Sequence, residues 1–192
     1  MTDVFTVLIT DHNEVKSMLE ALESTPGHAA GASDAVLTAR KGVAEQLVIA
    51  SSGHEAAEEQ YFWPAVRDRL PDGNELADQA ISQESQAKEI LARLDKLGAA
   101  DAEFDQLVIE YTPAALAHIE FEENRVWPGM RRALSAEESG DLGDKITAAK
   151  EKGPTRPHPH SPASPGVLKA AGPAVAAVDK LRDAVSGRGR SA

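Results

Sequence analysis

The chain carries HEAAEEQYFWPAVRDRL at residues 54–70 and repeats the pattern at residues 118–134 as HIEFEENRVWPGMRRAL. The matching positions lie 64 residues apart, and they are His54/His118, Glu58/Glu122, Glu59/Glu123, Trp63/Trp127, Pro64/Pro128, Arg67/Arg131 and Leu70/Leu134. Each copy places a histidine four residues before a glutamate. In an α-helix this spacing rotates the chain by only about 40°, so both side chains leave the same face. Two such faces meeting inside a bundle would supply two imidazoles and two carboxylates, which together make a metal-binding set.

A second, weaker repeat precedes each copy of the first. Residues 11–22, DHNEVKSMLEAL, align with residues 83–94, QESQAKEILARL, at an offset of 72. The matched positions are Lys16/Lys88, Leu19/Leu91 and Leu22/Leu94, and His12 falls opposite Glu84. The chain therefore divides into two similar helical halves. Glu84 is predicted to occupy the place in the second half that His12 occupies in the first.

Apolar residues recur at helical spacing through most of the first 150 residues. The pattern predicts four main helices, at residues 4–24, 34–70, 75–97 and 101–134. We expect Gly53 and Pro64 to interrupt the second helix, and Pro113 and Pro128 to interrupt the fourth. The short turns between the later helices, such as PDGN at 71–74, predict antiparallel neighbours. The expected fold is an all-α, up-down-up-down four-helix bundle.

The composition changes near residue 150. A short extra helix is predicted at 135–150, beginning with a capping box between Ser135 and Glu138. Residues 151–166 contain five prolines and no apolar periodicity, so we interpret them as a linker. Residues 167–192 form a basic tail rich in alanine and valine, partly helical, which could dock on the bundle or on a protein partner. The predicted domains are a metal-binding bundle at 1–150, the linker, and the tail.

Charge and composition exclude several classes of function. The net charge is −11, and residues 151–192 hold seven lysines and arginines against three acidic residues, so the first 150 residues are strongly acidic. An acidic domain argues against nucleic acid as its partner. No apolar run approaches the roughly 18 residues of a membrane span, and the first residues lack the basic region of a secretory signal. The absence of cysteine excludes disulfides and thiolate metal sites and fits a cytoplasmic location.

Six residues are predicted to face the bundle interior as metal ligands. They are His12, His54, Glu58, Glu84, His118 and Glu122. Three imidazoles and three carboxylates on four helices suit a pair of octahedral transition metals with a position left open for a small ligand. The mixed nitrogen and oxygen donors favour iron, with manganese and zinc as alternatives.

The simplest competing interpretation is a surface ion pair. One His-x-x-x-Glu motif on a helix usually contributes about 0.2–0.5 kcal/mol as an exposed pair. Two copies within a longer shared pattern favour metal binding, because an apolar interior would not hold these groups unpaired. Tyr61 is a weaker candidate for a ligand or hydrogen-bond donor. Solvent-exposed or supporting roles around the site are expected for the neighbouring acids Glu55, Glu59, Glu120 and Glu123.

This pattern resembles the hemerythrin-like, HHE cation-binding family. The likeness covers roughly residues 1–135 and rests on the lone His12, the two HxxxE motifs at 54 and 118, and the ligand helix between them. It implies a four-helix bundle that holds a non-haem di-iron centre. Within that centre the histidines would be terminal ligands, with Glu58 and Glu122 bridging and Glu84 terminal. The Pro-rich basic tail is most similar to actinobacterial, including mycobacterial, members.

The chain departs from the family pattern at Glu84, where the family often has histidine. A carboxylate there resembles the carboxylate-rich di-iron proteins that activate oxygen or dispose of peroxide, more than an all-imidazole oxygen carrier. The leading hypothesis is a di-iron protein that binds O2, peroxide or NO, with catalase-like or oxidase turnover left open. The alternatives are an iron- or redox-responsive interaction module without turnover and a zinc-holding structural bundle.

Overall fold

The computed structural model describes residues 2–159 and 165–186. Its helices are α1 (Val4–Ser24), α2 (Asp34–Ala57), α3 (Trp63–Arg69), α4 (Gly73–Leu94), α5 (Ala102–Phe121), α6 (Trp127–Ala133), α7 (Ala136–Glu151) and α8 (Pro165–Ser186). A short 3-10 turn, His28–Ala30, lies between α1 and α2. Within these residues there is no β-strand, and the all-α prediction is confirmed.

The bundle consists of α1, α2, α4 and α5. Each of these helices packs against the next in chain order, and α5 packs back against α1, so the four enclose one interior. Side chains cap the first two helices where the sequence placed their starts, since Asp3 accepts from the Thr6 amide and Ser33 from the Val36 amide. The predicted four-helix bundle is confirmed.

Gly53 and Pro113 do not interrupt their helices, contrary to the sequence prediction. α2 continues through Gly53 and α5 continues through Pro113. Gly53 lies beside Gly153 of the linker, because a Cβ built on Gly153 would lie 3.4 Å from the Gly53 Cα, whereas a Cβ built on Gly53 would meet its nearest neighbours at 3.9 Å, an ordinary contact. Pro113 is exposed, and the buried residues around it hold α5 in place. Packing on the bundle therefore outweighs the local preference of both residues.

Two turns of π-helix stand where Pro64 and Pro128 predict a kink or an end. They span Glu58–Phe62 and Glu122–Val126, and each leads directly into a short α-helix with its proline in the first turn. Proline lacks an amide and clashes with the preceding turn, and the wider π turn accommodates both defects. Each π turn begins at the glutamate of an HxxxE motif, so it sets the direction of that carboxylate.

Apolar side chains fill the bundle in two clusters, one toward each end. The first includes Leu19, Leu47, Leu91 and Phe104. The second includes Phe5, Phe62, Val126 and Met130. Between the two clusters every helix of the bundle contributes a buried polar side chain, at His12, His54, Glu84 and His118. A polar layer in this place needs a chemical reason, because burying unpaired charge is costly.

α7 begins with the predicted capping box between Ser135 and Glu138 and packs against α1 and α2. The helix predicted within the tail is present as α8. The division into bundle, linker and tail stays a prediction, and residues 160–164 and 187–192 of the linker and tail lie outside the described residues. None of the helices in the described ranges is long and apolar enough to cross a membrane.

α8 docks against the π turn at Glu58–Phe62, and its inward side carries Ala176, Asp179 and Asp183. Asp179 and Asp183 are buried on this face. The linker supplies their partners, because Arg156 lies 2.7 Å from Asp183 and the His158 Nε2 lies 2.8 Å from Asp179. The outer face of α8 exposes Val178, Leu181 and Val185. Ion pairs to the linker therefore contribute to holding this helix, whereas an ordinary surface helix buries its apolar face.

Gly73 marks the closest approach between α3 and α4. A Cβ at this position would lie 2.1 Å from the Val66 carbonyl oxygen, so Gly73→Ala forces the two helices apart. We expect it to lower the free energy of unfolding by about 1–3 kcal/mol. Gly42→Ala is the matched control, because Gly42 is exposed inside α2 with open space around it. It should gain about 0.5–1 kcal/mol from helix propensity. Urea unfolding measures both, and equal shifts would contradict this packing.

Candidate metal centre

The six sequence-predicted ligands come together in one buried layer between the two apolar clusters. His12 lies on α1, His54 on α2, Glu84 on α4 and His118 on α5, and Glu58 and Glu122 open the two π turns. All six are buried, and the three carboxylates have no exposed surface.

The ligand atoms form two groups, each with its atoms within 4.8 Å of one another. The histidine-rich position consists of His12, His54 and Glu122. The carboxylate-rich position consists of Glu58, Glu84, His118 and Glu122. Glu122 belongs to both.

Two glutamates lie between the two positions. The Glu122 carboxylate has its Oε2 3.0 Å from the His12 Nε2 and its Oε1 3.1 Å from the His118 Nε2. Glu58 belongs to the carboxylate-rich group, and its Oε2 is 3.1 Å from the His54 Nε2. Glu84 lies on one side only, with its Oε1 4.0 Å from the His118 Nε2. This arrangement supports Glu122 and Glu58 as bridging carboxylates and Glu84 as a terminal one.

Each histidine is held by a hydrogen bond on the side away from the cluster. The Nδ1 atoms lie 2.9 Å from Glu123 for His12, 3.1 Å from Asp11 for His54 and 3.0 Å from the Gln83 side-chain oxygen for His118. These oxygens accept hydrogen bonds, so each Nδ1 donates and each neutral imidazole keeps its Nε2 lone pair. All three Nε2 atoms face carboxylates 3.0–3.1 Å away. The Nε2 lone pairs and the carboxylate oxygens repel each other unless a proton or a cation lies between them.

Buried polar atoms without hydrogen-bond partners are concentrated in this layer. Among the described residues they include the Nε2 of His12 and His118, both carboxylate oxygens of Glu58 and Glu122, and Oε2 of Glu84. Several lie within ion-pair distance of one another, but without hydrogen-bond geometry. Buried polar atoms are rarely left in this condition. Imidazole nitrogen and carboxylate oxygen are the donors that divalent transition metals take in proteins, so the residues fit two such ions.

Two lysines at matching repeat positions surround the layer. Lys16 Nζ lies 3.0 Å from Glu123, the residue that holds His12. Lys88 contacts Glu59 and lies 3.7 Å from Glu84. The expected supporting positions of Glu59 and Glu123 agree with these contacts. The sequence repeat could have identified these two ion pairs, because it matches Glu59 with Glu123 and Lys16 with Lys88.

The two tryptophans of the repeat also take corresponding places. Trp63 donates from its Nε1 to Glu84 Oε1 at 2.5 Å, and Trp127 stacks on His12 with 5.1 Å between ring centroids. The sequence analysis identified both only as matched positions and missed the hydrogen bond of Trp63. Tyr61 is half-buried and lines a cavity of about 250 Å³ between its π turn, α7 and α8. Its role as a metal ligand stays a prediction.

Burial and mutual contacts shift the pKa values within the layer. Burial raises the pKa of Glu58, and it raises the pKa of Glu84 further, against the pull of Lys88. Burial alone would lower the pKa of His54 and His118, but the adjacent carboxylates hold both above the ordinary 6.5. Burial would raise the pKa of Glu122, but His118 and His12 hold it far below its usual range. When no cation is bound, the layer therefore balances its charge with protons.

Cation binding is expected to weaken as pH falls. Because the pKa values of His54 and His118 are raised, both histidines keep their protons to higher pH than a free histidine, and a cation must displace those protons to reach the Nε2 lone pairs. Each proton released makes the apparent affinity change about tenfold per pH unit. Titrations between pH 6 and 8 in buffers of different ionisation enthalpy measure the release. An affinity that stays the same between pH 6 and pH 8 would contradict the prediction.

An all-α bundle with a buried layer of histidines and carboxylates defines a helical cation-binding protein. The sequence model described as the hemerythrin HHE cation binding domain matches residues 3–130, and the chain therefore belongs to that family. The match covers all six residues of the layer.

Two solved or curated proteins resemble most of the chain. An uncharacterized hemerythrin-like protein of Schizosaccharomyces pombe is 27% identical over 184 residues, which are 95% of this chain and 86% of the relative. The crystal structure of a hemerythrin HHE cation binding domain-containing protein from Mycobacterium kansasii superposes with a TM-score of 0.66 at 18% identity, covering 99% of this chain and 96% of that one. The second likeness supports the fold alone.

A DNA nickase of Nostoc matches a smaller part. It is 25% identical over 101 residues, which are 53% of this chain and 28% of the nickase. The likeness is therefore confined to a fraction of that larger protein.

Proposed function

We propose that the chain holds two non-haem iron ions in the buried layer and binds a small oxygen species there, with hydrogen peroxide as the leading candidate and O2 and NO as others. The observation that carries this proposal is the convergence of three Nε2 lone pairs on carboxylates with unsatisfied oxygens. The family match supports a cation-binding domain, and the choice of iron over manganese or zinc rests on the mixed nitrogen and oxygen donors.

The arrangement of donors supports an open coordination position. With Glu58 and Glu122 counted at both positions, each position has four protein ligands, whereas octahedral ions take six. Iron in such a site supplies the redox chemistry of small oxygen species.

The protein contributes geometry and exclusion of water. Glu58 and Glu122 hold the two positions together, and the hydrogen bonds to each Nδ1 fix the imidazole rings. Phe62, Trp63 and Trp127 are buried around the layer and restrict access to small molecules. The carboxylate at Glu84 favours turnover of peroxide over simple oxygen transport. We also propose a cytoplasmic location, in keeping with the absence of cysteine.

Oxygen release from added peroxide tests the proposed reaction. Iron-loaded protein should release O2 from hydrogen peroxide over many turnovers, and an equal amount of free iron is the background. Zinc-loaded protein is the matched control, because zinc can fill the layer without redox chemistry. Iron-loaded protein that releases no more oxygen than zinc-loaded protein would remove peroxide turnover from the proposal and leave ligand binding to be tested spectroscopically.

One observation favours the alternative, a metal-responsive interaction module. Lys150, at the end of α7, contacts Asp11, and Asp11 holds the His54 Nδ1. α8 packs on the π turn that begins with Glu58. Occupancy of the layer could therefore change how the linker and tail dock. Limited proteolysis with and without iron tests this, since metal-dependent cleavage near residues 152–164, together with no peroxide turnover, would favour the module.

A further inference from the structure

The two metal positions differ in the charge of their ligands. Glu58 and Glu122 lie between the two positions and are shared by both. The unshared ligands are His12 and His54 at the histidine-rich position and His118 and Glu84 at the carboxylate-rich position. With these ligands alone, a cation at the second position meets one more negative charge. Two identical ions would then bind with different strengths.

At the histidine-rich position, the residues behind the ligands are anionic. Asp11 accepts from the His54 Nδ1, and Glu123 accepts from the His12 Nδ1. Each of these carboxylates also contacts a lysine, Asp11 with Lys150 and Glu123 with Lys16. A carboxylate behind an imidazole raises the basicity of the opposite nitrogen and strengthens its bond to a metal. Both imidazoles of this position therefore receive negative charge from behind.

At the carboxylate-rich position, the groups that contact the ligands from behind are a neutral amide, an indole N–H and the Lys88 ammonium, which is itself paired with Glu59. The partner of the His118 Nδ1 is the amide of Gln83, which carries no charge. Glu84 accepts from the Trp63 indole, and the Lys88 ammonium lies 3.7 Å from its other oxygen. A donor and a cation at a carboxylate withdraw negative charge from it. The position with more carboxylates is thus the one whose ligands are weakened.

The difference between the two positions lies at matching places in the sequence repeat. Asp11 and Gln83 occupy the same repeat position, and so do His12 and Glu84. Where the ligand is His12, the preceding residue is an acid, and where the ligand is Glu84, the preceding residue is a neutral amide. Glutamate in place of histidine adds a negative charge at the ligand, whereas glutamine in place of aspartate removes one from the residue before it.

We propose that Asp11, Glu123, Gln83, Trp63 and Lys88 balance two unequal ligand sets, so that both positions bind the same divalent ion with comparable affinity. This rests on the proposed function, because it assumes two ions in the layer. Asp11 and Gln83 are positioning residues in this account, since each acts through the histidine whose Nδ1 it holds. A purely structural role for Asp11, anchoring α7 through Lys150, predicts no selective effect on one position.

Exchanging the charges behind His54 and His118 tests the balance. Asp11→Asn keeps a side-chain oxygen for the His54 Nδ1 and removes the charge, which reproduces the partner that His118 already has. Gln83→Glu makes the reverse change behind His118. The matched control is Asp141→Asn, an exposed acid on α7 far from the layer in sequence. Anaerobic calorimetric titration with Fe²⁺ resolves the two binding events for each protein.

The wild type should bind two Fe²⁺ ions with affinities within about one order of magnitude. Asp11→Asn should weaken one event by about 10–100-fold and leave the other near its original value. Gln83→Glu should strengthen one event, and the double variant should show the widest separation. Circular dichroism of the metal-free proteins checks folding, and Gln83→Glu decides the question if Asp11→Asn does not fold.

Four results would overturn the inference. The two wild-type affinities could differ by far more than about one order of magnitude, Asp11→Asn could match Asp141→Asn, it could weaken both events equally, or Gln83→Glu could leave both affinities unchanged. In each of these cases the wild type still binds two ions, so the proposed function stands. A wild type that binds no Fe²⁺ would remove the proposed function, and this inference with it.

Discussion

Replacing Glu122 by glutamine is expected to abolish tight binding of both ions. Glu122 is one of the two glutamates between the positions and belongs to both groups of ligand atoms, and its two oxygens face His12 and His118 at 3.0 and 3.1 Å. Glutamine keeps the shape but removes the charge and one acceptor. Loss of residues behind metal ligands already costs about 10–100-fold in affinity, so loss of a shared ligand should exceed about 100-fold. Metal content after gel filtration and Fe²⁺ titration measure the effect.

Glu120→Gln is the control for this substitution. Glu120 lies two residues earlier on α5 and is exposed, so the same chemical change there should leave two ions bound. Circular dichroism of the metal-free variants shows whether both fold. A folded Glu122→Gln protein that retains two tightly bound ions would contradict the assignment of Glu122 as a shared ligand.

Filling both positions is expected to raise the thermal stability strongly. An ion at about 1,000 times its dissociation constant stabilises the folded state by about 4 kcal/mol, and two ions by about 8 kcal/mol, provided the unfolded chain does not bind them. In a chain of this size each kcal/mol moves the melting temperature by about 2–4 °C. Loaded protein should therefore melt about 15–30 °C above chelated protein in differential scanning calorimetry. Glu122→Gln is the control and should show little shift, whereas an equal shift in both proteins would indicate binding elsewhere.

The bundle and the layer were predictable because their signals are local. A helix of period 3.6 brings residues four apart onto one face, so His54 with Glu58 and His118 with Glu122 could be read directly from the sequence. The 72-residue offset selected Glu84 from many glutamates by placing it opposite His12. The structure brings all of these residues into one layer.

The parts that sequence reasoning missed depend on contacts between distant elements. Asp11 and Gln83 precede predicted ligands by one residue, but their partners lie on other helices, and a hydrogen bond to an Nδ1 leaves no periodic pattern. The π turns also escaped prediction, because proline indicates a local defect without saying whether the helix ends or widens. Gly53 was expected to interrupt α2 because glycine is a weak helix former. Its contact with Gly153 joins distant parts of the chain and could not be anticipated from the sequence.

The orientation of α8 is a further case. The sequence analysis predicted a partly helical tail that could dock and assigned it no inward face. The structure turns Asp179 and Asp183 inward, because the proline-rich linker supplies Arg156 and His158 as partners. Charge partners 27 and 21 residues away therefore help to set an orientation that the sequence analysis did not predict.

Metal analysis of purified protein tests the central claim most directly. Protein produced in iron-rich medium should contain two irons per chain by elemental analysis, and Glu122→Gln produced in parallel should contain almost none while remaining folded. Wild-type protein that carries no transition metal, and takes up none from anaerobic Fe²⁺, would contradict the account.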